Sequence, residues 1–377
     1  MKQEVLSGAH QLPHLTKYLL SKNVHHILLV RGKNSYVNSS AKSIIEPLLE
    51  SFEVTEFSNF SHNPKIEDVS RGIQIFNGSN CQAIISVGGG SVLDMAKLIK
   101  AFCDSQGDLS LKVHDNLVGL CNTPMIAFPT TAGSGSEATQ FAVVYVDKKK
   151  FSVSDEKLLP ELSFLVPEFT HSTSSYLSAS TGMDAMSQAI ESFWSVNSTE
   201  ESREYSKEAL QILWEFLPQA VLEHDVAAKS KIMHASHLAG KAINIAKTTA
   251  AHAISYSFTS YHGIPHGHAV ALTLPFFCGY NSQVGPEDCN DERGSDHVKG
   301  ILSQIRDIFG VKDLEQGVRS FIGTLGLTLT LPITDQIVDD EIVRILGNIN
   351  AQRMKNNPRA VQMDELRDML HNIFLKN

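Results

Sequence analysis

The sequence predicts two domains in tandem: an α/β domain built on a parallel sheet, then an all-helical domain. Three observations carry this. In the first part of the chain, short apolar runs alternate with amphipathic stretches. Beyond about residue 170, strand signals nearly vanish and long amphipathic segments take over. Pro160 and Pro167 punctuate the change. Strand–helix alternation is the pattern of a parallel sheet with helices on both faces. The boundary is placed so that residues 1–168 form the α/β domain and 169–377 the helical one.

In chain order, His26 to Val30, Ala83 to Val87 and Met125 to Phe128 read as strands. Ile66 to Phe76 and Val92 to Phe102 read as the helices between them. In the second domain, helices are expected over Ser180 to Trp194, Glu200 to Leu217, Ala227 to Ile245, Ala250 to Ser257, Ala269 to Phe276 and Val361 to Leu375. The polar, acidic stretch Val284 to Asp296 reads as an exposed loop.

The 377 residues are 42% hydrophobic and 19% charged, which suits two folded cores and excludes disorder. A net charge of −9 argues against a nucleic-acid surface but not against small anionic ligands, which a few local cations can hold. No apolar run is long enough for a membrane span, and the first residues lack a signal-peptide core. Five scattered cysteines, Cys81, Cys103, Cys121, Cys278 and Cys289, fit reduced thiols in a cytoplasmic protein.

Two loops suit phosphate. Ser86-Val87-Gly88-Gly89-Gly90-Ser91 follows a buried-looking strand and opens a helix, with Asp94 in its first turn. Three glycines let a backbone approach a ligand, and the free N–H groups of the helix make an anion site. The competing reading is a tight turn that needs positive φ. The second loop, Pro129 to Glu137, is rich in hydroxyls and also follows a strand. Ligands of parallel sheets bind at the carboxyl ends of strands, where both loops lie.

A metal constellation is the other candidate. Asp184 and Gln188 are four apart and share a helix face, with Glu191 near it. An aspartate early in a helix is more often a cap. However, His252, His262, His266 and His268 crowd one short segment that Gly263 and Pro265 break. Imidazole and carboxylate together suit Zn²⁺ or Fe²⁺.

Taken together, these blocks resemble the iron-containing (group III) alcohol dehydrogenase family. The shared pieces are Asn63-Pro64, Gly88 to Ser91 with Asp94, Thr130 to Glu137, Gly182-Met183-Asp184-Ala185, and His252 with Pro265-His266-Gly267. The resemblance implies a dinucleotide-binding α/β domain, a helical domain of the dehydroquinate synthase-like fold, and a divalent metal, Fe²⁺ or Zn²⁺, in the cleft between them. It implies that Asp184, His252 and His266 are metal ligands. It also implies cofactor contacts at Asn63, Gly89, Gly90, Ser91, Asp94, Thr130, Thr131, Ser134, Thr139 and Lys150, and assembly as a homodimer or larger homo-oligomer.

This chain departs from the family pattern at three places. The family's fourth ligand is a histidine four residues after the aspartate; here it is Gln188, whose neutral amide oxygen is the weaker donor. A second histidine is replaced by Tyr256, which makes that phenol, or His262 or His268, the proton relay. Where many members carry a carboxylate for the ribose 2′-hydroxyl, this chain has Arg31-Gly32-Lys33. That favours NADPH over NADH, unless both cations are merely solvated.

Gly240 to His252, Gln188 to Ser198 and Gly263 to Leu272 look like the phosphonoacetaldehyde-reducing branch of the family, which serves phosphonate biosynthesis. Lys247, with Thr248 and Thr249, would then hold the anionic end of a small aldehyde. The competing readings are a dehydrogenase of simple primary alcohols, a lyase of the dehydroquinate synthase type, and a binding protein without turnover.

Overall fold

The computed structural model describes residues 3–119, 122–147, 149–332 and 338–374. Cys121 and Leu375 lie outside them. The chain packs as two compact units, Met1–Thr173 and Ser174–Asn377.

Among its described residues the first unit has eight strands: β1 (Glu4–Ser7), β2 (His26–Arg31), β3 (Glu53–Phe57), β4 (Ala83–Gly88), β5 (Met125–Pro129), β6 (Phe141–Val146), β7 (Lys149–Ser154) and β8 (Leu162–Leu165). Six form one sheet in the order β1-β8-β5-β4-β2-β3, with every pair parallel. Along β2, Ile27 and Leu29 enter one core and Leu28 and Val30 the other, so both faces of the sheet are buried. The helices are α1 (Pro13–Ser21), α2 (Ser35–Asn38), α3 (Ala41–Leu49), α4 (Ile66–Gly78), α5 (Gly90–Phe102) and α6 (Leu109–His114).

The strand order reverses between β2 and β4, so the loops after these two strands open at a topological switch point. Strands β6 and β7 form a separate antiparallel hairpin, turning through Asp147 at φ 48°. No antiparallel pairing was expected from the sequence.

Among the described residues the second unit has helices and no named strand: α7 (Ser175–Trp194), α8 (Glu200–Pro218), α9 (Val226–Ala246), α10 (Ala250–His262), α11 (His266–Ser282), α12 (Ser295–Phe309), α13 (Leu314–Thr324), α14 (Val338–Gly347), α15 (Ala351–Met354) and α16 (Met363–Phe374). Helix α7 is its axis, and every residue from Met183 to Trp194 is buried.

Two sequence expectations change here. Helix α7 starts at Ser175, capped by Ser174, so Asp184 sits deep inside the helix and cannot be an N-terminal cap. The stretch after α11 is a loop, but a packed one. Asp291 is buried and clamped by Arg293, and Asp288 pairs with Arg359 at 2.6 Å. Among the described residues no helix is long and apolar enough to cross a membrane. Among the described residues, Cys81, Cys103, Cys278 and Cys289 form no disulfide.

Candidate functional site

Helices α7, α10 and α11 bring Asp184, His252 and His266 together, with one ligand atom from each lying within 4.8 Å of the others. Asp184 Oδ1 is 3.3 Å from His252 Nε2 and 3.9 Å from His266 Nε2. Two ligands about 2.1 Å from a tetrahedral ion are about 3.4 Å apart, so the spacing suits a divalent metal.

The support behind the triad is Glu191, two helical turns after Asp184 and fully buried. Its Oε2 accepts from His252 Nδ1, which turns His252 Nε2 towards Asp184. Its Oε1 accepts from Thr249 N–H, Thr249 Oγ1 and His252 N–H. The carboxylate thus caps the start of α10 and fixes the tautomer of a ligand histidine. Burial alone would raise its pKa; the charge and hydrogen bonds of His252, with those of Thr249, outweigh burial and hold it below the usual range. For His252, burial would lower the pKa, but Glu191 and Asp184 raise it.

Glycine at position 267 is what lets α11 reach α7. A Cβ there would lie 1.8 Å from the Ser180 carbonyl oxygen and 2.9 Å from Asp184 Cβ. The residue before it, His266, can therefore approach Asp184. Tyr256 stacks on His266 with ring centroids 5.5 Å apart and planes 10° apart. Gln188 donates its amide N–H to Asp184 Oδ1 at 3.1 Å. These donor atoms, held from behind by a carboxylate, fit a metal ion.

The other two proton-relay candidates are engaged elsewhere. His262 pairs with Glu341 at 2.8 Å. His268 lies between the Tyr176 hydroxyl at 3.0 Å and the Thr328 carbonyl at 2.8 Å. Thr249 is likewise unavailable to a substrate, because its hydroxyl donates to Glu191 and accepts from Trp194 Nε1. Lys247 and Thr248 do stand at the start of α10. Lys247 has φ 64° and ψ 170°, a region essentially reserved for glycine, which costs about 1–3 kcal/mol. Its Nζ donates to the Asn244 carbonyl at 3.1 Å. Thr248 Oγ1 accepts from Arg353 Nη1.

In the first unit the two predicted loops lie against each other. Gly89 and Gly90 both have φ outside the positive region, so the turn does not need glycine for its dihedrals. It needs the missing Cβ, which would fall 3.2 Å from Thr131 Oγ1 at Gly89 and 2.8 Å from Ser134 Oγ at Gly90. Gly89, Gly90, Ser91, Thr131 and Ser134 stay partly accessible. Among the described residues, the buried Thr130 Oγ1 has no hydrogen-bond partner, so it suits a ligand contact. Asn63 is exposed, and Pro64 beside it accepts from Tyr145 N–H, the residue facing Lys150 across the hairpin.

Below the loops lies Lys97, fully buried, donating to Ser136 O, Ser136 Oγ, Thr139 Oγ1 and Phe141 O at 2.6 to 3.1 Å. Thr139, expected to face the cofactor, is 1% exposed and spends its hydroxyl on this network. Asp94 lies beyond the first turn of α5 and accepts from Ser136 Oγ and Val143 N–H while staying partly accessible. Arg31, counted from the sequence towards a 2′-phosphate, is already paired with Glu56 at 2.6 Å, which leaves exposed Lys33 for that role.

A parallel sheet with a phosphate-suited loop at its switch point and a second at the end of the neighbouring strand suits a dinucleotide, and a helical unit that gathers two imidazoles and a carboxylate suits a metal ion. Residues 2–167 match the family model Iron-containing alcohol dehydrogenase, and residues 178–374 its C-terminal counterpart. The chain belongs to the iron-containing alcohol dehydrogenase family and is an oxidoreductase.

Phosphonoacetaldehyde reductase of Streptomyces viridochromogenes is 32% identical over 298 residues, covering 76% of this chain and 74% of that one. The 1,3-propanediol dehydrogenase of Klebsiella pneumoniae is 32% identical over 76% of this chain and 73% of its own. Among solved structures, sulfoacetaldehyde reductase from Bifidobacterium kashiwanohense in complex with NAD+ superposes with a TM-score of 0.86 at 29% identity, covering 98% of this chain and 96% of that one.

Proposed function

We propose that this enzyme reduces a small anionic aldehyde, phosphonoacetaldehyde or a close analogue, to its primary alcohol. It would use NADPH or NADH and a divalent metal, Fe²⁺ or Zn²⁺, at Asp184, His252 and His266, with the Gln188 amide oxygen as a fourth donor. The observation that carries the substrate class is Lys247. A cationic side chain occupies a strained backbone position, beside Thr248 and five residues before His252. Two of the similar proteins are reductases of two-carbon aldehydes bearing a phosphonate or a sulfonate, which supports the same reading.

The metal supplies Lewis acidity at the carbonyl oxygen, and the dinucleotide supplies the hydride. The remaining work falls to the chain's own residues. Glu191 holds His252 in one orientation, Tyr256 braces His266 by ring stacking, and the Tyr256 phenol is the proposed proton relay. Lys247 and Thr248 orient the anionic end of the substrate. With Arg31 paired to Glu56, we expect little discrimination between NADPH and NADH.

Oxidation of each dinucleotide with phosphonoacetaldehyde, before and after chelation and with Fe²⁺ or Zn²⁺ restored, tests the proposal. Turnover should require metal, and kcat/KM should exceed that for propanal by about tenfold or more. Equal kcat/KM for the two aldehydes would defeat the anionic-substrate reading. Turnover without net dinucleotide oxidation would point to a lyase.

A further inference from the structure

The carboxyl end of β2 lies beside the glycine loop. Arg31 stands in register with Val87 of β4, and the Gly32 N–H donates to the Val87 carbonyl at 3.2 Å. Gly88 and Gly89 follow directly. A dinucleotide whose pyrophosphate rests on that loop lays its adenosine ribose over the end of the adjoining strand, so a 2′-phosphate would arrive at Arg31, Gly32 and Lys33. Arginine is the residue type best suited to receive it, with a permanent charge and a planar fork of donors.

That fork is held from the side by Glu56. Arg31 Nε and Nη2 both donate to Glu56 Oε2, at 2.9 and 2.6 Å, and Nη1 donates to the Gly32 carbonyl at 3.3 Å. The guanidinium carbon lies 5.2 Å from the centre of the buried Tyr36 ring. Glu56 reaches it from β3, the edge strand, where it faces Leu29 across the ladder, so the ion pair runs diagonally between strands. The Arg31 side chain is 18% exposed and that of Glu56 44%. A ligand can therefore meet the pair, and the fold depends little on it.

A 2′-phosphate carries a charge of about −1.5 to −2. Against the intact pair it meets a cation and an anion that cancel, with the exposed Lys33 beside them. With a neutral residue at position 56 it would meet a guanidinium whose parallel N–H groups match two of its oxygens.

We infer that Glu56 sets the choice between NADH and NADPH by engaging Arg31, and that its removal turns the enzyme towards NADPH. Glu56 acts through Arg31 and is a positioning residue. The inference rests on the dinucleotide part of the reading above and is independent of which aldehyde is reduced.

Titration of nicotinamide fluorescence gives the Kd of NADPH and of NADH without any aldehyde, for wild type, Glu56→Gln, Arg31→Gln and the double variant. Glu56→Gln should shift the ratio of the two constants about tenfold towards NADPH. Arg31→Gln should shift it about threefold or more towards NADH, because a bare carboxylate then faces the phosphate. The double variant should return to within about threefold of wild type. Adenosine 2′,5′-bisphosphate should compete better against Glu56→Gln than against wild type, while 5′-AMP competes equally with both. Tm should stay within about 2 °C throughout, since a half-exposed pair contributes little.

An unchanged ratio in Glu56→Gln would overturn the inference. So would a shift of the same sign in both single variants, or a shift towards NADPH that persists in the double variant, since Arg31 would then not be the released group. The opposite shift expected of Arg31→Gln keeps the test decisive if Glu56→Gln folds poorly. A wild type that binds neither dinucleotide would overturn the dinucleotide reading itself.

Discussion

The two units each bury a charged network against a helix, and the networks differ in how their polar atoms are balanced. Around Lys97 the ammonium protons meet protein acceptors on Ser136, Thr139 and Phe141, and Asp94 accepts from Ser136 and Val143. That network is closed on itself. Around Glu191 the carboxylate is equally well supplied with donors, yet beyond it Asp184, His252 and His266 present acceptor-type atoms to a common point. Acceptors facing acceptors are reconciled by a cation, whether a metal ion or a proton. Burial of charge alone therefore does not mark a functional site; an unbalanced set of lone pairs does.

Glu191→Ala should produce the largest effect on this contrast. It removes the support of His252 and strands the donors at the start of α10. Metal affinity should fall about 10–100-fold, and stability by about 3–5 kcal/mol. Chelator competition and denaturant titration would read both; near-normal metal retention would mean that Glu191 is not the orienting group.

Lys97→Met should cost about 3 kcal/mol while leaving metal content unchanged, which separates a supporting network from a binding one. Burial pushes the Lys97 ammonium down to about 8 from 10.5, so the unfolded chain holds the extra proton between these values. Stability of the wild type should therefore gain on the variant as pH rises from about 8 towards about 10.5. A difference that stays flat over that window would show that Lys97 is not desolvated as described.

The smallest effect is expected for Thr130→Val. Removing a hydroxyl that lacks a protein partner should leave stability unchanged or slightly higher, while KM for the dinucleotide rises about fivefold. An unaltered KM would show that Thr130 does not complete its hydrogen bonding with the cofactor.

The parts of this organisation that the sequence makes legible are those carried by local pattern. Strands β2, β4 and β5 are largely apolar and mostly or wholly buried, so they stand out. The glycine loop follows one of them, and Asp184 with the histidine cluster can be read from spacing along helices. Strand β3 has Glu53 and Glu56 on an edge of the sheet, and β1 is short and largely exposed, so neither has the apolar signature of a central strand. Glu191 was visible as a neighbour of Asp184 on one face of a helix, but its bond to His252 crosses from α7 to α10. Arg353 had no local signal, since its partner Thr248 lies on a distant segment and only tertiary packing joins them. The positive φ of Lys247 is equally invisible in a residue type that usually avoids it.

The close passage of α11 over α7 at Gly267 also bears on how the substrate range could be re-engineered. With the Ser180 carbonyl where a side chain would have to go, position 267 offers no room for variation, and Glu191 offers none in chemistry. Lys247, Thr248, Tyr256 and Arg353 are each at least partly exposed or held by side-chain contacts that a substitution can replace. A mutant library aimed at new aldehydes would therefore diversify these four positions and keep the helix crossing untouched.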